Sequence, residues 1–155
     1  MAIVTKSGIF TKVSLDFKGY YQEKHIGGVQ EVDGVYAAFA CTLSKDKDGV
    51  EYCTPLRCIY IGMGTKTDNV HVRIAQHKIN NHDSWKKKLN EGEYILYSYA
   101  ECQADIVHDV EAALIYMNQP IENDVSKDKY TGNIHFLTVN VDGRFGTLRR
   151  SISVF

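Results

Sequence analysis

From Gly34 the chain carries a nearly continuous apolar run, GVYAAFACTL, rich in β-branched and aromatic side chains and closed by the charged stretch SKDKDG. Such a run predicts a buried strand that ends in a turn. A second run of the same kind, RCIYIGMG, occupies residues 57–64. Asp46 to Gly49 supplies turn residues between them, and Pro55 stands just ahead of the second run, where its missing N–H costs the ladder nothing. The two runs predict a long-looped antiparallel hairpin. Beyond Gly64 the period changes: Val70, Arg73, Ile74 and His77 fall at i, i+3, i+4 and i+7, one stripe of a helix over about residues 69–80, with Asp68 or Asn69 as N-cap. Asp83 and Ser84 can cap a short second helix, WKKKLNEG, that ends at Gly92. The alternating YILYSYAE, residues 94–101, predicts a third strand.

The clearest helix runs from Asp105 to Asn118, where Ile106, Val110, Ala113, Leu114 and Met117 repeat at helical spacing and Pro120 follows after the helix must have ended. Residues 122–132 are polar and read as a loop. Two β-like runs in the tail, NIHFLTVNV and TLRRSISVF, flank DGRFG, a hairpin signal. The first 33 residues have weak periodicity, with a short strand expected at Ile9–Phe17 and a glycine-bearing segment at Gly27–Gly28. The order predicts an α+β domain: a small central mixed or antiparallel β-sheet flanked by helices, with an additional C-terminal β-hairpin at about 133–155.

At 155 residues with 44% apolar and 24% charged, the chain is sized for one globular domain with a real core. It has no apolar run of about 18 residues, and its start, MAIVTKSGIF, lacks the apolar centre of a secretory signal. Four cysteines, Cys41, Cys53, Cys58 and Cys102, are too few for a disulfide scaffold and suit a reducing compartment, so a cytoplasmic location is expected. Eighteen basic against nineteen acidic residues leave a net charge of −1. No global positive field collects nucleic acid, and such a partner would depend on local patches such as Lys86-Lys87-Lys88 or Arg149-Arg150, which are ordinarily solvated faces.

Candidate chemistry lies where polar residues occupy positions the pattern wants apolar. Arg73 and His77 sit inside the stripe of Val70 and Ile74, and a buried arginine is costly unless an anion pairs with it. At helical pitch Glu111 lies about 100° from the centre of its helix's apolar arc, at the border of core and solvent, a position suited to a metal-binding carboxylate. His108 and Glu111 stand at i and i+3, but no second such pair follows; Cys53 and Cys58 likewise lack a second pair that would complete a zinc site.

Gly34-Val35-Tyr36 opens the first strand and Tyr60-Ile61-Gly62 closes the second. With Arg73, His77 one turn later, and EAALIYMNQPIEN holding Glu111 and Asn123 twelve residues apart, residues 34–123 resemble the GIY-YIG nuclease superfamily. Val35 replaces the isoleucine of the family triplet, and 23 residues separate the two triplets, so the hairpin loop holding DKDGVEYCTPL reads as an insertion.

The resemblance implies a metal-dependent endonuclease acting on DNA, with 1–33 and the C-terminal hairpin as extensions of one domain over 1–155. Phosphodiester hydrolysis needs an activated water, neutralised phosphoryl oxygens and a stabilised leaving group. The expected site has Glu111 on one Mg²⁺ or Mn²⁺, Arg73 gripping the phosphate, and Tyr36 accepting the proton of the water, its pKa lowered by neighbouring cations. Tyr60 and His77 would orient water and phosphate, and Asn123 would position the groups that touch them. Gly62 and Gly64 would let backbone approach substrate, and Lys86, Lys87 and Lys88 would contact phosphates without reading sequence. The partner is expected to be double-stranded DNA, with dimerisation as one way to place two sites across a duplex, and no membrane. The rival reading is a non-catalytic nucleic-acid-binding or protein-interaction module on the same fold, which the near-zero charge favours.

Overall fold

The computed structural model describes residues 1–155. Strand β1 (Ile3–Ser7) turns into β2 (Phe10–Gln22), a 3₁₀ segment (Glu23–Gly28) follows, and β3 (Gly34–Lys45) pairs with β4 (Glu51–Gly64). Helices α1 (Val70–Asn80) and α2 (His82–Lys86) lead to β5 (Glu93–Glu101), then α3 (Val107–Asn118), β6 (Leu137–Gly143) and β7 (Ser151–Val154). The seven strands form one mixed sheet in the order β4-β3-β5-β2-β6-β7, with β1 on β2. The α+β class and the C-terminal hairpin expected from the pattern are present. No helix is long and apolar enough to cross a membrane.

The amino-terminal residues are no appendage. Strand β2 joins β5 at Lys18, Tyr21 and Gln22, while its first half, Thr11–Phe17, runs parallel to β6 over Leu137–Gly143. A register shift between Lys18 and Tyr21 marks the handover, and the sheet curls around it. Val13, Leu15 and Phe17 point inward and alternate with polar neighbours. That alternation was legible; the length was not, because Lys18–Gln22 gains its partner β5 only in the folded chain.

The β3–β4 hairpin differs from its sequence reading. The stretch read as an inserted loop is mostly strand: β3 continues to Lys45 and β4 begins at Glu51. The turn is closed by Asp46, whose Oδ1 accepts from the amides of Asp48 and Val50 at 2.9 Å each, while Gly49 adopts φ +79°. Pro55 lies inside β4, beside a register shift on the sheet's edge strand, where a missing donor is tolerated. Helix α2 also starts earlier and stops at Lys86, because Trp85, its one buried residue, anchors the turn while Lys87 to Gly92 stay outside any helix.

Side chains of β3 alternate between two cores. Val35, Ala37, Phe39 and Cys41 join α3, β6 and β7 on one face; Tyr36, Ala38 and Ala40 join α1, α2 and the 3₁₀ segment on the other. All seven have no exposed surface, which is why this strand reads as a continuous apolar run.

Candidate active site

The register that sequence alone leaves open is settled by the hairpin. Gly34 pairs with Gly64, Tyr36 with Gly62, and Ala38 with Tyr60. The next partners are Phe39 and Cys58, so Ile59 is an extra residue, a bulge. Ile59 and Tyr60 consequently both meet the α1 side of the sheet, Ile59 fully buried and Tyr60 half-buried. The bulge keeps Ile59 in the core and aims the Tyr60 ring at Tyr36, with centroids 6.2 Å apart.

Helix α1 brings the next group. Its N-cap is Asn69, whose side chain accepts from the Val72 amide at 3.1 Å, and Val70, Ile74 and His77 form its buried stripe. His77 Nε2 lies 2.6 Å from the Tyr36 hydroxyl, and its Nδ1 lies 2.8 Å from Asn81 Oδ1. With a carbonyl oxygen opposite Nδ1, that nitrogen carries the proton and Nε2 accepts from the tyrosine. Burial holds the imidazole pKa below its ordinary value; the Asn81 bond opposes this and the Arg73 charge adds to it. His77 therefore waits as a neutral acceptor at physiological pH.

Arg73 is half-buried, one turn before His77; its guanidinium donates to Gln76 Oε1 at 3.2 Å on the same helix and also faces the Tyr36 and Tyr60 hydroxyls. No carboxylate pairs with it at ion-pair distance. Its charge acts instead on both tyrosine hydroxyls. Burial nevertheless pushes the phenols of Tyr36 and Tyr60 above the usual tyrosine value, with Arg73 pulling both downward. The expected lowering of the Tyr36 pKa is corrected here: desolvation of a ring with no exposed surface outweighs one half-buried cation. Glu111 comes from α3, which packs on the opposite face of the sheet, and its carboxyl lies near the Met63 amide of β4 and within the field of Arg73. Burial raises its carboxyl to about 7, against the pull of Arg73 and of the Met63 amide.

The outer edge of β4 is covered by the chain after α3. The Glu122 amide donates to Ile59 O at 2.8 Å, and the Asn123 amide group brackets Ile61, accepting from its N–H at 2.9 Å and donating to its C=O at 2.8 Å. Asn123 is thus a brace for the strand that presents Tyr60. Asn123→Ala is expected to cost about 1–3 kcal/mol, since two buried backbone groups lose their partners. Urea unfolding measures this, and a variant as stable as the parent would remove the brace.

The two glycines are filled from within. A Cβ on Gly62 would collide with the Tyr36 ring, and one on Gly64 with the backbone of Asn69 and Val70. Their bareness lets Tyr36 lie flat across β4 and lets α1 start against the strand, in place of the expected approach to a substrate. Gly62→Ala is expected to displace Tyr36 from His77 and to lower stability by about 1–3 kcal/mol through overpacking; an unshifted thermal midpoint would contradict it.

The lysines divide: Lys86 lines a cavity of about 450 Å³ with Lys24, Lys78 and His82, Lys87 is exposed, and Lys88 Nζ lies 3.9 Å from Glu122. Sequence reasoning missed Asn81 and Trp85. The first stands four residues after His77 and so on its face of the helix, a findable signal; the second, stacked on His77, left none beyond being the lone tryptophan. The site as a whole joins one carboxylate, one unpaired guanidinium and a Tyr-Tyr-His-Asn chain, a set able to bind an anion and move a proton. No family model, curated protein or solved structure matches this chain.

Proposed function

We propose that the chain is a metal-dependent endonuclease that hydrolyses phosphodiester bonds of double-stranded DNA. The observation that carries the reading is convergence: Tyr36 of β3, Tyr60 of β4, Arg73 and His77 of α1, and Glu111 of α3 act on one another electrostatically although 75 residues separate the first from the last. The donor set fits a hard divalent cation. Glu111 is the site's one carboxylate and no cluster of three or more His, Cys, Asp or Glu is present, while Mg²⁺ keeps most of its waters and needs only one or two carboxylates. Held by Glu111, Mg²⁺ or Mn²⁺ supplies charge neutralisation at a phosphoryl oxygen.

The rest is done by the chain's own groups. Arg73, with no carboxylate partner, binds the phosphate through its guanidinium fork. The half-buried Tyr60 hydroxyl meets the attacking water and relays its proton toward Tyr36, whose ring lies beside it at 6.2 Å between centroids. Tyr36 hands its own proton to His77 Nε2, and Asn81 holds the ring in the accepting tautomer. Because both phenol pKa values are raised, the tyrosines work as a relay, and neutral His77 is the final acceptor. A single site cuts one strand; a second copy of the chain would serve the other.

The complete burial of Tyr36 favours the second reading, a binding module without turnover on the same fold. Incubation with supercoiled plasmid and Mg²⁺, beside an EDTA control and the Glu111→Gln variant, separates the two. Metal-dependent nicking lost in the variant supports hydrolysis. Absence of cleavage with Mg²⁺ and Mn²⁺, with DNA still bound, supports the module.

A further inference from the structure

Trp85 is the chain's single tryptophan and the one buried residue of the five-residue helix α2. Its exposure is 2%, and nothing in the relay described above uses it. Its ring stacks on the His77 imidazole at a centroid distance of 4.8 Å and an interplanar angle of 27°. Tyr60 lies 4.7 Å from the imidazole and 5.2 Å from the indole, so the three rings close a triangle with His77 at one corner.

We propose that Trp85 is a positioning residue whose indole face holds the His77 ring in the orientation that offers Nε2 to Tyr36 and Nδ1 to Asn81, and stabilises the ring once it is protonated. An imidazole with hydrogen bonds only at its two nitrogens can still rock about the line joining them. A flat aromatic surface against its face removes that freedom. The groups facing His77 are Tyr36 from β3, Tyr60 from β4, Arg73 from α1, Asn81 at the end of that helix, and Trp85 from α2. Of these only Arg73 is charged, and it opposes a proton on the ring, as burial does. The electron-rich indole face, the one ring stacked on the imidazole, favours imidazolium by a cation–π contact and adds to the Nδ1 bond to Asn81. α2 therefore ties the relay's final acceptor to the rest of the fold.

The inference is tested on the full chain without DNA or metal, so it stands or falls separately from the nuclease reading. Trp85 alone responds to tryptophan-selective excitation, and an imidazolium in contact with indole quenches it. Emission is expected to fall as pH drops from 8 to 5, with a midpoint below the ordinary histidine value. His77→Gln is expected to abolish that titration, and His82→Gln, three residues before Trp85, to keep it. A titration unchanged by His77→Gln, or none in the parent, would overturn the contact. The positioning role is read from the ring ¹⁵N shifts of His77, expected to report one neutral tautomer in the parent and in Trp85→Phe, and a mixture in Trp85→Leu. A folded Trp85→Leu protein with the parental tautomer would overturn it; should Trp85→Leu fail to fold, an altered tautomer in Trp85→Phe would do so.

Discussion

An Arg73→Ala variant is expected to fold as the parent does and to lose about 10²–10³-fold or more in plasmid nicking rate, the scale of removing one preorganised donor from developing negative charge. Folding should survive because α1 is held by the buried stripe of Val70, Ile74 and His77, whereas the Arg73 head is half-exposed and in no ion pair with a carboxylate. A stability change within about 1 kcal/mol is expected for a residue so weakly tied. Arg73→Lys should restore only part of the rate, since an ammonium cannot form two parallel bonds to a phosphate. Arg73 also holds the phenol pKa values of Tyr36 and Tyr60 down, so residual activity in the alanine variant should shift to higher pH. Parental nicking by a folded Arg73→Ala protein would take the arginine out of the mechanism.

Glu111→Gln is expected to abolish nicking while making the metal-free protein more stable at pH 8. The carboxyl titrates at about 7 in the folded chain because burial disfavours its charge, against about 4.3 for an ordinary glutamate. The folded state thus binds this proton more tightly than the unfolded state. Its contribution favours folding below about pH 4 and is lost as pH rises through about 7. At pH 8 the ionised group opposes folding by about 1–3 kcal/mol, after allowance for partial exposure. Glutamine removes that opposition, so the two thermal midpoints should diverge between pH 4 and pH 8 and converge in acid. Mg²⁺ should raise the parent's midpoint at pH 8 more than at pH 6, because the ion competes with the proton for Glu111. It should leave the variant unchanged. A variant less stable than its parent at pH 8 would show that Glu111 holds the fold together as an ionised group.

Much of this arrangement was legible along the chain. The α1 stripe, its Asn69 cap, β5, α3 and the tail hairpin follow from local period and local punctuation, and each forms within a few residues of the predicted place. Arg73 and His77 stood out because they break an apolar stripe, and Glu111 because it borders one. Less legible was whatever depends on a distant partner. Residues 18–22 alternate too weakly to announce a strand, yet they become one by pairing with β5. Glu51–Leu56 was read as part of an inserted loop because 23 residues separate the two triplets, and it is strand because it pairs with the far end of β3, Pro55 being excused by its edge position. The direction of the tyrosine shifts was illegible for the same reason: a nearby arginine can be guessed from spacing, whereas the loss of water around Tyr36 comes from α1, α2 and the 3₁₀ segment closing over it.

By itself the sequence determined the class of fold, the helix faces and the residue types available for chemistry, because hydrophobic period and capping act over a few residues. Only the tertiary structure decided which tyrosine is buried and which is half-exposed, that a bulge at Ile59 turns Tyr60 toward Tyr36, that Asn123 braces Ile61, and that Trp85 stacks on His77. Those outcomes rest on register, desolvation and contacts between segments remote in the chain, which exist only once the whole sheet has closed.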